Sequence, residues 1–172
     1  MNNEKTEYLA RRAKDGDTDA FAELIQLHMK DMYRTALAIL MNDSDAADAI
    51  QDAILACFEK IGSLKHEEYF KTWLTRILIN KCKDIKKRSV NTVSLETLAE
   101  TAQDDGCNLE LKEAMSCLDE KYRIVFMLYY GEGYNIGEIS DILKIPQSTV
   151  QTRLWRGRQM LAKIYYGTDG KE

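Results

Sequence analysis

Histidine and proline are scarce in this chain: 172 residues hold two histidines, His28 and His66, and one proline, Pro146. Four cysteines, Cys57, Cys82, Cys107 and Cys117, form no C-x-x-C pair and have no nearby His cluster. That pattern indicates neither a zinc site nor a redox motif, so they read as reduced thiols, with Cys57 in a core. There is no Gly-rich phosphate loop and no nucleophile beside a base, so no enzyme, metal or cofactor is indicated. No apolar run is long enough to span a bilayer, and Met1 to Lys14 lacks a signal-peptide pattern, which points to the cytoplasm without membrane insertion. Internal repeats are absent.

Charge is plentiful but uneven. The formal net charge is −4, from 24 Lys and Arg against 28 Asp and Glu, a balance that speaks against binding nucleic acid by bulk attraction. The distribution says something different. Asn91 to Glu110 holds five acidic residues and no Lys or Arg, whereas Gln147 to Lys163 holds no acidic residue. Basic residues cluster at Lys81, Lys83, Lys86, Lys87 and Arg88, and again at Arg153, Arg156, Arg158 and Lys163. An acidic body with focused basic patches is a poor DNA binder by itself and gains from a carrier.

The second patch lies in a helix-turn-helix pattern. Asn135-Ile136-Gly137-Glu138 has the form of a capping box, and Ile139, Ile142 and Leu143 follow at helical spacing. The run stops at Lys144-Ile145-Pro146, because the residue before proline is pushed out of the α region. Ser148-Thr149-Val150-Gln151 predicts a second capping box. Behind it Val150, Leu154, Gly157, Leu161 and Ile164 define one buried stripe, with Gly157 allowing close approach of a partner helix. The other face carries Thr149, Gln151, Thr152, Arg153, Trp155, Arg156 and Arg158, side chains suited to base edges and phosphates of a major groove. A solvated basic face is the plainer reading; the flanking pattern favours DNA.

Upstream, the spacing predicts a short helix over Tyr8 to Lys14 and a long one from Thr18 or Asp19. The long helix places Phe21, Leu24, Ile25, His28, Met32 and Ala36 on one face, and His28 reads as a core residue. A helix over Ala46 to Ile61 buries Ile50, Ala53, Cys57 and Ile61, while Asp48, Gln51, Asp52, Leu55 and Glu59 form an acidic, partly apolar strip. Solubility alone accounts for such a strip unless a partner uses it. A polar loop, Lys65 to Tyr69, precedes a helix from Phe70 whose apolar positions include Phe70, Trp73, Leu74, Ile77, Leu78 and Ile85. Thr72, Arg76, Asn80, Lys83, Lys87 and Arg88 supply donors. Aromatics followed by cations fit a single-strand site, where bases stack and cations follow the backbone; Phe70 and Trp73 are equally readable as core.

Residues 89–108 lack Lys and Arg and are rich in Thr, Ser, Glu and Asp. They read as a flexible acidic linker spanning roughly 25 Å. Residues 109–118 resume a helix, Asp119 caps the next, and Tyr122, Val125, Phe126, Leu128 and Tyr129 build a core that ends at Gly131 and Gly133. The expected fold is all-α: a helical domain over 1–88, the linker over 89–108, a helix-turn-helix domain over 109–166, and a frayed tail over 167–172.

Two separate regions resemble one family. Trp73-Leu74-Thr75-Arg76-Ile77, then Asn80, Asp84 and Lys87-Arg88, is similar to the W-L-x-R-I-x-x-N-x-x-x-D-x-x-R-R run of bacterial extracytoplasmic-function sigma factors of the sigma-70 family. Asp45 to Asp52 resembles that family's preceding helix, and Ile145 to Leu154 its I-P-x-G-T-V-x-S-R-L signature. The resemblance implies two helical domains, regions two and four, carried to promoter DNA by core RNA polymerase. It implies that Asp48, Gln51, Asp52 and Leu55 dock on the polymerase, and that Lys65 to Tyr69, including Lys65, His66 and Tyr69, captures a flipped base of the −10 element. Trp73, Arg76, Asn80, Lys83, Lys87 and Arg88 would then serve strand opening, and Gln151, Thr152, Trp155 and Arg156, with Thr149, Arg153 and Arg158, would face the −35 element. Because no inhibitory domain precedes the first helix, a separate anti-sigma factor is expected.

The chain departs from the family pattern at four positions. Lys144 stands where Gly or Asn is common, Ser148 replaces Gly, Asn135 replaces Ser, and Gln151 replaces a basic residue. The competing function is a stand-alone helix-turn-helix regulator binding duplex DNA as a dimer, which the −4 charge makes less favourable.

Overall fold

The computed structural model describes residues 2–91, 113 and 115–167, and every regular element among them is helical. The chain divides into two units, Met1–Thr92 and Val93–Glu172, each described by itself.

The first unit packs four helices: α1 (Asn2–Lys14), α2 (Thr18–Leu40), α3 (Asp43–Lys60) and α4 (Phe70–Asn91). Gly16, at φ +94°, turns the chain out of α1, and Asp17 then accepts the Ala20 N–H at 2.9 Å to start α2. Asn42 does the same for Asp45 N–H at 2.9 Å. The cap makes α3 begin at Asp43, three residues before the expected start, because capping Asn42 frees Asp43 and Asp45 to occupy the first turn, where carboxylates suit the helix dipole. Likewise α1 starts at Asn2 rather than Tyr8, since burial of Thr6, Leu9, Ala10 and Ala13 against the other helices stabilises turns that local periodicity alone does not reveal.

The core between these helices is Leu24, Ile39, Phe70, Leu74, Leu78 and Ile79, all essentially inaccessible. Each such side chain contributes about 1.5–3 kcal/mol relative to exposure. His28 is buried among them, hydrogen-bonded to the Thr6 hydroxyl through Nε2 at 3.2 Å and tilted against the Phe70 ring at 5.6 Å. Cys57 and Cys82 are buried too, and burial pushes both thiols up to about 12. Two 3-10 turns, Ile61–Ser63 and Glu67–Tyr69, connect α3 to α4. Helix α4 continues through Asn91, past the expected linker start at residue 89; the expected linker from residue 92 onward lies outside the described residues. So do most of the helix expected over 109–118 and the tail beyond Gly167.

The second unit contains α5 (Glu120–Phe126), which continues into a π-helical stretch Met127–Gly131, then α6 (Ile136–Leu143) and α7 (Gln147–Tyr166). Its core joins Leu118, Tyr122, Val125, Leu128, Ile139, Ile142, Val150 and Leu154. Arg123 is buried with them and donates to the Leu118 carbonyl at 2.8 Å.

Candidate nucleic-acid interface

The helix-turn-helix is built by local chemistry that the sequence announces in one half and conceals in the other. At α6 the expected capping box is present: Asn135 Oδ1 accepts the Glu138 N–H at 2.9 Å, and Glu138 Oε2 accepts the Asn135 N–H at 2.8 Å. The helix ends at Lys144, which is left-handed at φ 56° and sends its N–H to the Ser140 carbonyl. The Ser140 hydroxyl donates to the Ile145 carbonyl at 2.6 Å and pins the turn from inside. At α7 the expected Ser148 capping box does not form. The N-cap is Pro146, with no side-chain cap, and its carbonyl accepts from Thr149 and Val150. The proline presets φ at the boundary, so the helix starts at Gln147 and Ser148 falls inside the first turn.

Val150, Leu154 and Gly157 form the buried stripe as expected. Leu161 is half-buried and Ile164 is 47% exposed, so the stripe does not extend to Ile164. The helix simply outruns the unit's described core there.

The seven candidate side chains of α7 fall on two flanks. Thr149, Thr152, Arg153 and Arg156 line a groove of about 240 Å³ whose other wall is Lys121 and Tyr122 of α5. In this groove Arg156, with a smaller contribution from Lys121, acts on the Tyr122 hydroxyl and lowers the phenol's pKa. The Lys121 ammonium sits 5.0 Å from the centre of the Tyr122 ring. Thr152 spends its hydroxyl proton on the Ser148 carbonyl at 2.9 Å, which leaves it an acceptor toward a ligand. On the opposite flank lie Gln151, Trp155 and Arg158, with Trp155 60% exposed and Arg158 over the Tyr130 ring at 5.9 Å. Sequence reasoning placed Tyr122 in the core without its groove wall and missed Lys121 and Tyr130, because nothing in the spacing of α5 says which of its turns lies beside α7.

In the first unit, Trp73, Arg76, Asn80, Lys83 and Lys87 recur at three-four-three-four spacing, so they share one face of α4. Trp73 and Arg76 are half-buried near its start, while Asn80, Lys83, Lys87 and Arg88 are exposed further along. Arg76 Nε is buried without a hydrogen-bond partner among the described residues, a donor fit for an incoming acceptor. Phe70 is core, its ring 6.0 Å from Trp73. Lys65, His66 and Tyr69 are all exposed, with His66 edge-on to Tyr69 at 6.1 Å.

Asp48, Gln51, Asp52 and Leu55 share one face of α3, with Leu55 63% exposed. Phe58, one turn beyond Leu55, is also exposed while its ring packs edge-on against Phe21 at 5.1 Å. It is an apolar member of the strip that the sequence reading left out. An i, i+3 relation to Leu55 was the available signal.

Comparison with known proteins places this geometry. Residues 24–91 match the family model of Sigma-70 region 2, and residues 108–161 that of Sigma-70, region 4. The chain is 31% identical to the ECF RNA polymerase sigma factor SigW of Bacillus subtilis (strain 168) over 89% of its own length and 92% of that protein. It belongs to the extracytoplasmic-function sigma factors of the sigma-70 family. This sigma factor is also 30% identical to the ECF RNA polymerase sigma factor SigM of Mycobacterium tuberculosis (strain ATCC 25618 / H37Rv), with 87% of this chain and 79% of that one covered. Its fold is shared with the sigma factor RpoE of Bartonella quintana, solved with the anti-sigma factor NepR: TM-score 0.72 at 22% identity, covering 86% of this chain and 98% of that one. The sigma factor is thus a transcription initiation factor of the alternative-sigma class. Among its described residues no helix is long and apolar enough to cross a membrane.

Proposed function

We propose that this sigma factor binds core RNA polymerase in the cytoplasm, performs no covalent chemistry itself, and divides promoter reading between its two units. The unit over residues 1–88 docks through Asp48, Gln51, Asp52 and Leu55. It takes an unstacked −10 base on the Lys65–Tyr69 loop and guides the opened strand along the Trp73, Arg76, Asn80, Lys83, Lys87 and Arg88 side chains. Residues 89–108 link it to the unit over 109–166, where Thr149, Gln151, Thr152, Arg153, Trp155, Arg156 and Arg158 engage the −35 duplex.

The observation that carries this reading is α7 itself: a 20-residue helix behind a tight left-handed turn, with no acidic residue from Gln147 to Lys163 and its Arg, Gln and Thr side chains presented outward. An anti-sigma factor holds the protein inactive, by analogy with the Bartonella quintana relative solved bound to one. The test is run-off transcription from genomic promoter fragments with sigma-free core polymerase, with and without the chain. New defined start sites that depend on the chain support the proposal. No new starts, together with tight duplex binding by the chain alone, would replace it with the dimeric regulator reading.

A further inference from the structure

Lys65, His66 and Tyr69 project into solvent from a short loop, and a loop that must meet a base in one pose gains from being held before the base arrives. The holding contacts come from α1. Lys14, the last residue of α1, donates from Nζ to Glu67 Oε1 at 2.7 Å, linking positions 53 residues apart. The two side chains are only 22% and 20% exposed, so solvent screens this pair less than an ordinary surface pair. Arg11, one turn earlier, adds a second positive charge acting on Glu67. At the far end of the loop Phe70 is fully buried against His28, and His28 is bonded to Thr6 of α1. The middle of the loop and the residue that follows it are therefore tied to α1, one directly and one through His28.

We propose that α1 is a brace for this loop and that Lys14 is a positioning residue for capture of the −10 base, acting through Glu67 without touching DNA. The inference rests on the loop reading given above. Glu67 carries the load because it opens the Glu67–Tyr69 turn, whose backbone bond from Tyr69 N–H to the His66 carbonyl joins the two residues whose rings meet edge-on. Releasing Glu67 leaves the side chains present but the turn free to reorient.

The experiment uses holoenzyme assembled from core polymerase and the full chain, with a fluorescent single-stranded oligonucleotide carrying the −10 sequence found by run-off mapping. Lys14→Glu and Glu67→Lys are each expected to weaken strand binding roughly three- to fivefold, and the double swap to recover it, with competition for core polymerase unchanged throughout. Single variants that bind the strand like the parent, or a double swap as weak as either single, would overturn the brace. Loss of core binding in Lys14→Glu that the swap fails to restore would assign Lys14 to folding instead, and overturn it equally. Tyr69→Ala separates the two readings. If it weakens strand binding while Lys14→Glu does not, the brace alone fails; if neither has any effect, the loop reading fails and the brace with it.

Discussion

The ring of Phe126 fills the space that a side chain on Gly157 would need: a Cβ built there lies 2.6 Å from Phe126 Cε2 and 2.9 Å from Cδ2. This contact sets how closely α5 and α7 pack, and so where Lys121 and Tyr122 stand beside Thr152, Arg153 and Arg156.

Gly157→Ala tests that closeness. Overpacking costs about 1–3 kcal/mol, offset by about 1 kcal/mol of improved helix propensity. The expected net loss is about 1 kcal/mol in chemical denaturation of the full chain, with weakened −35 binding. A stabilised variant with normal promoter use would show that the Phe126 ring yields freely.

Two double substitutions separate the units. Gln151→Ala with Arg156→Ala removes two candidate base contacts, each worth about 1–3 kcal/mol. Use of the −35 element should fall by tenfold or more, on the order of that energy, while affinity for core polymerase stays level. Asp48→Arg with Asp52→Arg should do the reverse in a competition assay for core. Equal loss of both functions in either variant contradicts the division of labour.

Lys144 holds φ 56°, a region that disfavours residues with a Cβ. Lys144→Gly should stabilise the second unit by about 0.5–1 kcal/mol, read as a higher denaturation midpoint. The offsetting term is the extra freedom glycine gives the unfolded chain. A lower midpoint would mean that the lysine side chain contributes more than its backbone strain costs.

Burial lowers the His28 pKa below its ordinary 6.5, against a smaller opposing pull from Asp31 and with a further push from Lys71. The unfolded chain therefore binds more protons than the folded one between the depressed value and 6.5. Stability contributed by neutral His28 is complete above 6.5 and is lost as pH falls through that window. The carboxylates Asp17 and Glu67 are also shifted down, but from a more acidic ordinary value, so their contributions are lost only in more acidic solution. Denaturation from about pH 5 to about pH 7.5 should show a slope that His28→Gln flattens; a slope that survives the substitution excludes His28 as its source.

Much of this was legible in the chain. The Asn135 capping box, the glycine on the α7 stripe and the apolar face of α2 follow from rules that act within a few residues, and these fix local geometry whatever the rest of the molecule does. The Ser148 box failed for an equally local reason, since proline at the N-cap starts the helix two residues too early for serine to cap it. Ser140 escaped notice because a mid-helix serine reaching a carbonyl five residues on leaves no periodic signal.

The sequence by itself determined the order of the helices, the capping box of α6, the basic face of α7 and the acidic strip of α3, because side-chain periodicity and capping are properties of contiguous residues. Only the tertiary structure decided which residues meet across the chain. It split the seven α7 candidates between two flanks and added Lys121 and Tyr122 to one of them. It also set Phe58 beside Leu55 and joined Lys14 to Glu67 across 53 positions. Those relationships depend on how helices pack, and packing is set by the fit of whole buried faces, which no local pattern encodes.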